Sequence, residues 1–180
     1  GIARALDAGV RSIEHGHLAD EATIRLIGEK GAWLSMQPFA EDDHHYPDPV
    51  RAAKNTEICQ GTDEVYGWAK QHGVKTAWGT DLLPAPQSAA RQSTMAARLG
   101  DFYSNVDALK MLTSGNASLF ELAGERNTYR AAKLGVIAEG GWADLILVDG
   151  DPLADISLIA DPDTNFKVIV KGGQIIKNSL

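Results

Sequence analysis

Two histidines stand two residues apart in Ile13-Glu14-His15-Gly16-His17, and in an extended segment residues i and i+2 face the same side. Such a pair can reach one metal ion, and it can equally serve as a pair of hydrogen-bonding groups at a strand end. Gly16 is expected to end the strand before His17, which sets that residue apart from His15. Further along, Gly79-Thr80-Asp81 places small residues beside a carboxylate. That combination lets a ligand approach and can bind a metal or take a proton, while Thr-Asp after a strand is also an ordinary turn or helix-entry sequence. Between them, Glu41-Asp42-Asp43-His44-His45-Tyr46 offers candidate substrate contacts, His44, His45 and Tyr46 among them, or extra metal ligands. The same run reads as part of a solvated loop, although that loop, Phe39 to Asp48, exceeds the usual ~2–6 residues of a strand-to-helix connection and long loops tend to be functional.

Other reactive residue types have plainer readings. His72 precedes Gly73 at an expected helix end, where a cation complements the helix dipole. Cys59 lies in a helical pattern with no basic neighbour and is read as a small buried residue. Trp33, Trp68 and Trp78 fall within strands or helices and are expected in the core. The chain has no Gly-x-Ser-x-Gly elbow, no Gly-x-Gly-x-x-Gly and no Gly-Lys-Ser/Thr, so neither a serine nucleophile nor a phosphate cradle is indicated.

These residues need elements to hold them. Val10 to Glu14 reads as a short strand, and Asp20 opens a helix to Glu29 that Gly31 closes. Ala32 to Met36 is a second strand, followed by helical patterns at Val50–Gln60 and Asp63–His72, and Val74 to Trp78 is a third strand. Strands alternating with helices imply parallel pairing, an α/β arrangement. A unit of a (β/α)8 barrel averages roughly 31 residues, and the interval from His15 to Asp81 is about two such units. Both residues fall where a strand gives way to a loop, the end on which such barrels build active sites. Helical patterns follow at Ser88–Leu99, Asn105–Thr113 and Asn116–Ala123. From there the chain changes character, with strands expected at Leu134–Ala138, Ala143–Val148, Phe166–Val170 and Gln174–Lys177, the last after a Gly172-Gly173 turn. An antiparallel β module is therefore expected from about residue 128.

Composition bounds the partners. The 180 residues are 44% hydrophobic and 23% charged, as in a soluble globular domain. Twenty-four acidic against 17 basic residues give a net charge of -7 without a basic cluster, which disfavours nucleic acid and anionic membranes. No apolar run is long enough for a membrane span or secretory signal, and the one cysteine cannot form an internal disulfide. The expectation is a cytoplasmic protein. The opening, Gly1 to Gly9, reads as a helix end with no strand before it, so the chain is expected to be the C-terminal part of a longer protein.

Four motifs in order carry a resemblance. Ser12-Ile13-Glu14-His15-Gly16, Gly79-Thr80-Asp81, Thr113-x-x-Asn116-Ala117 with Leu122 and Gly124, and Leu134-Gly135-x-Ile137-x-x-Gly140-x-x-Ala143-Asp144-Leu145 with Asp149 and Pro152 together resemble the amidohydrolase superfamily, in its imidazolonepropionase-like and Xaa-Pro dipeptidase-like branch. The resemblance implies the C-terminal part of a metal-dependent (β/α)8, TIM-like barrel plus part of a small β-sandwich. Residues 1–127 would hold barrel strands six to eight with the following helices, and 128–180 the C-terminal part of the sandwich. His15 would be the sixth-strand histidine and Asp81 the eighth-strand aspartate, both metal-site and catalytic residues. The family's strand-one His-x-His pair, strand-four lysine and strand-five histidine match nothing here. His17 is not a family ligand position and is left as a pocket residue, and residues 125–133 are more polar and longer than the family's pattern.

The activity so implied is hydrolysis of a carbon–nitrogen bond, in an amide, cyclic amide or dipeptide-like substrate, by water activated on one or two divalent ions, zinc first. Asp81 would act as general base. Two alternatives stand beside it: a deaminase of the same superfamily, and a non-catalytic scaffold, for which keeping both His15 and Asp81 would be unnecessary. The expected partners are a small substrate and further copies of the same chain in a homo-oligomer. The 180 residues alone are expected to be inactive, because two ligands do not complete a site that needs four or five.

Overall fold

A computed structural model describes residues 1–43, 45–81 and 86–180, with the backbone alone for residues 86–88. The chain forms two compact units, Gly1–Asp81 and Leu82–Leu180. Among the described residues no helix is long and apolar enough to cross a membrane.

The first unit begins with α1 (Ile2–Asp7) and continues through β1 (Ser12–Glu14), α2 (Glu21–Glu29), β2 (Trp33–Met36), α3 (Pro49–Gln71) and β3 (Lys75–Trp78). The three strands form a parallel sheet in the order β1-β2-β3, as alternation of strands and helices requires. The central strand, β2, is the most buried of the three, with Leu34 and Met36 fully covered. Helix α2 packs on β2 and on α3, and Ile24 and Ile27 of α2 and Val65, Tyr66 and Ala69 of α3 are all at 0 or 1% exposure. This is the core of the unit. Each long helix starts where the sequence supplies a cap: the Asp20 carboxylate accepts from the Thr23 amide at 2.8 Å, and that of Asp48 accepts from the Arg51 amide at 2.9 Å ahead of Pro49.

Two expectations are corrected in this unit. The patterns at 50–60 and 63–72 are one 23-residue helix. Within it Gly61 lies close to the chain at His17, since a Cβ there would sit 2.2 Å from the His17 carbonyl oxygen. Trp33, Trp68 and Trp78 are half-buried, and the fully covered positions go to smaller aliphatic side chains and Tyr66. His72 caps the C-terminus of α3 as expected, and its Nε2 meets Glu21 at 3.0 Å. Cys59 is buried.

In the second unit the helical stretch is broken into short pieces: α4 (Gln92–Ala97), α5 (Asn105–Lys110) and α6 (Asn116–Phe120), joined by 3-10 turns and, at Met111–Gly115, by a π turn. Ser104 caps α5, its hydroxyl accepting from the Asp107 amide and donating to the Asp107 carboxylate. Three strands, β4 (Leu145–Val148), β5 (Phe166–Lys171) and β6 (Gln174–Asn178), form an antiparallel sheet in that order. Between β4 and β5 run a 3-10 turn at Ile156–Ala160 and the short helix α7 (Pro162–Asn165). Gly172 and Gly173, both at positive φ, make the β5–β6 turn.

Helix α4 packs on the turn at 156–160, and Asn105 donates to the carbonyls of Leu153 and Ala154. Residues 92–110 are thereby tied to the chain around β4 and β5. The strand expected at Leu134–Ala138 does not form. There Gly135 (φ 72°) lies so close to the Thr113 backbone that a Cβ would come within 2.5 Å of its carbonyl oxygen, and that irregular close packing displaces a regular ladder.

Candidate active site

All three parallel strands deliver a polar residue just past their C-terminal ends: His15 after β1, Gln37 after β2, and Asp81 at the end of Gly79-Thr80-Asp81 after β3. The His15 amide still donates to the Ser35 carbonyl at 2.8 Å, so the residue is tied to the ladder. Its φ of 69° then turns the chain out of the extended conformation. Asp81 has a φ of 50°, and these two are the only positive-φ residues other than glycine among the described residues. For a non-glycine residue this region is uncommon. It is found here at the two positions that the sequence singles out for chemistry.

The turns aim the side chains at each other. His15 Nε2 lies 3.9 Å from Asp81 Oδ2, with 52% and 44% of the side chains exposed, so the pair is open to a ligand. The other imidazole nitrogen of His15, Nδ1, is 2.8 Å from Gln37 Oε1. An amide oxygen only accepts, so this contact places the proton of neutral His15 on Nδ1 and leaves the Nε2 lone pair facing Asp81.

His17 follows a different course from the one its spacing suggests. Its alignment with His15 does not come from an extended strand, because both His15 and Gly16 (φ 75°) are at positive φ. The ring is nonetheless near, with centroids 6.1 Å apart. It is buried, stacks on Phe39 at 5.2 Å and donates from Nε2 to the Gln37 carbonyl at 3.0 Å. Burial pushes the His17 imidazole below its ordinary pKa; the Gln37 carbonyl opposes this, nearby His15 adds to it and Asp81 counters it. His17 is a neutral, inward-facing ring.

Of the loop residues, His45 is exposed and Tyr46 half-buried on the connection from the Glu41–Asp43 turn to α3, and His44 lies outside the described residues. The structure thus brings together His15, His17 and Asp81. It adds Gln37, which sequence reasoning missed. The signal was present: a polar residue directly after the central strand, at the same end as His15 and Asp81.

A divalent metal can be tested against this donor set. Zinc ligands lie about 2.0–2.2 Å from the ion, so two donors of one ion are at most roughly 4.2 Å apart, and the His15–Asp81 separation of 3.9 Å falls inside that limit. The Gln37 contact on Nδ1 is the outer support that metal-bound histidines have. Among the described residues no group of three or more His, Cys, Asp or Glu gathers to hold a metal. The residues fit as two ligands of a larger set.

Comparison with known proteins follows the same line. The sequence profile of the amidohydrolase family matches residues 1–175. The ochratoxinase of Aspergillus niger is 30% identical over 182 residues, which cover 98% of this chain and 36% of that protein. A crystal structure of a prolidase complexed with N-methylphosphonate-L-proline is 33% identical with a TM-score of 0.82, over 98% of this chain and 42% of that one. A Xaa-Pro dipeptidase with methionine bound in its active site is 25% identical with a TM-score of 0.78, again over 98% and 42%. The chain therefore spans less than half the length of the relatives it matches.

Proposed function

Because the chain belongs to the amidohydrolase family, we propose that the full-length protein hydrolyses a carbon–nitrogen bond, with His15 and Asp81 as two of its metal ligands. The observation that carries this reading is the convergence of His15 Nε2 and Asp81 Oδ2, 3.9 Å apart at the ends of strands from one parallel sheet. In the domain arrangement we propose, residues 1–127 supply strands six to eight of a (β/α)8 barrel with the following helices, and residues 128–180 part of a small β-sandwich.

A bound divalent ion, with zinc the first candidate and one or two ions per site, would polarise the substrate carbonyl and acidify a water. Asp81, half-exposed and facing the same space, takes a proton from the attacking water and delivers it to the departing nitrogen, so that amide and water become acid and amine. His15 presents its Nε2 lone pair to the site. His17, stacked on Phe39, walls the site beneath His15. The residues assigned to substrate contact are His44, His45 and Tyr46. For the substrate we favour a dipeptide-like amide, supported by the names that the prolidase, Xaa-Pro dipeptidase and ochratoxinase relatives carry.

The test is elemental analysis of the full-length protein beside Asp81→Asn, with a hydrolysis screen over dipeptides, N-acyl amino acids, cyclic amides and amino-substituted heterocycles. Stoichiometric metal that falls in the variant, with hydrolysis of amides reduced by roughly 10²–10⁴-fold, is the expected result. Turnover of amino-heterocycles alone would reassign the reaction to deamination. A well-folded full-length protein without metal would leave a scaffold.

A further inference from the structure

Gln37 contacts both imidazoles of the site. Its side-chain oxygen is 2.8 Å from His15 Nδ1, and its backbone carbonyl is 3.0 Å from His17 Nε2. Gln37 is 4% and His17 5% exposed, so the contact to His17 is buried, while the one to the half-exposed His15 is partly so. The two bonds impose opposite tautomers. Accepting at Nδ1 forces His15 to keep its proton there and to present a bare Nε2 toward Asp81, while accepting at Nε2 keeps the His17 proton on that nitrogen, turned away from the site. An imidazole that lacked the Gln37 amide would be free to protonate Nε2, the nitrogen that faces Asp81 at 3.9 Å, and a protonated nitrogen cannot ligate.

We propose that Gln37 is a positioning residue: through one side-chain acceptor and one backbone acceptor it sets the tautomers of His15 and His17 before any ligand arrives. The backbone makes this possible. Gln37 directly follows the central strand of the sheet, which is paired on both sides by the strands that lead to His15 and Asp81, so its backbone leaves a fixed point. The consequence for metal binding rests on the proposed function, whereas the tautomer assignment does not.

The experiment is long-range proton–nitrogen NMR of the metal-free, full-length protein with nitrogen-15 histidine, at about pH 8, above the ordinary imidazole pKa of about 6.5. His15 signals are assigned by their loss in His15→Ala. The expected wild-type pattern is protonated Nδ1 and bare Nε2 for His15. In Gln37→Leu it reverses or becomes mixed, and in Gln37→Glu, which restores an acceptor, Nδ1 remains protonated. A wild-type His15 with its proton on Nε2, or an unchanged pattern in a folded Gln37→Leu, overturns the proposal. Should Gln37→Leu fail to fold, the wild-type spectrum decides alone. The second readout is zinc affinity by competition with a chelator, expected to weaken by about 10- to 100-fold in Gln37→Leu, the range for losing an outer-shell partner, and to recover in Gln37→Glu. If the wild-type protein binds no zinc, the metal reading fails while the tautomer result still decides the role of Gln37.

Discussion

His15 and Asp81 hold φ values of 69° and 50°, a conformation that costs a residue with a Cβ on the order of 1–3 kcal/mol and persists only where the surroundings over-determine it. At His15 those surroundings are the Ser35 carbonyl on its amide and Gln37 on its ring. Relieving the strain should separate stability from chemistry. His15→Gly and Asp81→Gly are expected to leave the full-length protein as stable as before, or up to about 1 kcal/mol more stable by chemical denaturation, while activity is lost. Asp81→Asn, which tolerates the same backbone region, should retain the fold and lose turnover. A drop of several kcal/mol in either glycine variant would show that the turn conformation is not the strained feature.

Among the elements, α3 carries two glycines with opposite demands. A Cβ at Gly61 would meet the His17 carbonyl oxygen at 2.2 Å, whereas at Gly67 it would meet nothing within 4 Å. Gly67→Ala should therefore stabilise by roughly 0.4–1 kcal/mol through lower unfolded-chain entropy. Gly61→Ala gains the same propensity but must push helix and site apart. It is expected to destabilise by about 1–3 kcal/mol and to shift the His17 ring signals. Equilibrium denaturation of the two variants side by side checks both signs.

The antiparallel sheet has a charge lock at the start of β4. Asp144 binds the Lys171 ammonium and accepts from the Gly172 amide at 2.6 Å. The Lys171 contact first, and the Gly172 amide second, hold the Asp144 carboxyl below its usual value of 3.8. The unfolded chain thus takes up this proton before the folded one. The contribution is present above about pH 4 and lost as pH falls through the lowered value. Lys171 is raised in turn, chiefly by Asp144, so its contribution is lost only at alkaline pH above 10.5. Protection factors of the β4–β6 amides, taken against the intrinsic exchange rate at each pH, are expected to fall on acidification below about pH 4, and Asp144→Asn should flatten that response.

On the scale of the whole molecule, several apolar residues of the outer strands of the second sheet stand exposed. Leu145, Ile146 and Leu147 of β4 are 40, 53 and 50% exposed, and Ile175 and Ile176 of β6 are each 64% exposed. Such runs ordinarily mark a surface that another segment or partner covers. The relatives that match here are much longer, this chain covering 36% of one and 42% of another. Residues 1–180 produced alone are expected to bind an apolar dye strongly, to hold zinc far more weakly than the full-length protein, and to hydrolyse nothing. Fluorescence titration and dialysis against zinc check the first two outcomes.

Much of the architecture was legible in the residues themselves. The cap at Asp20, the stops at Gly31 and Gly73 and the alternation of apolar runs locate α2, the end of α3 and β1–β3, because capping and periodicity are local properties of the chain. The same locality placed His15 and Asp81 at strand ends. Where reading failed, the deciding contact lay far away in sequence. The patterns at 50–60 and 63–72 looked like two helices and are one, α3, which approaches His17 at Gly61; Leu134–Ala138 looked like a strand and is bent by packing on Thr113; the tryptophans looked like core and are half-buried. Gln37 carried no local signal beyond its position after a strand. Its role exists because parallel pairing sets β2 between β1 and β3. Composition and spacing determined which groups could do chemistry, and the tertiary structure alone decided which nitrogen of His15 faces Asp81, since a tautomer is set by the partner across the sheet.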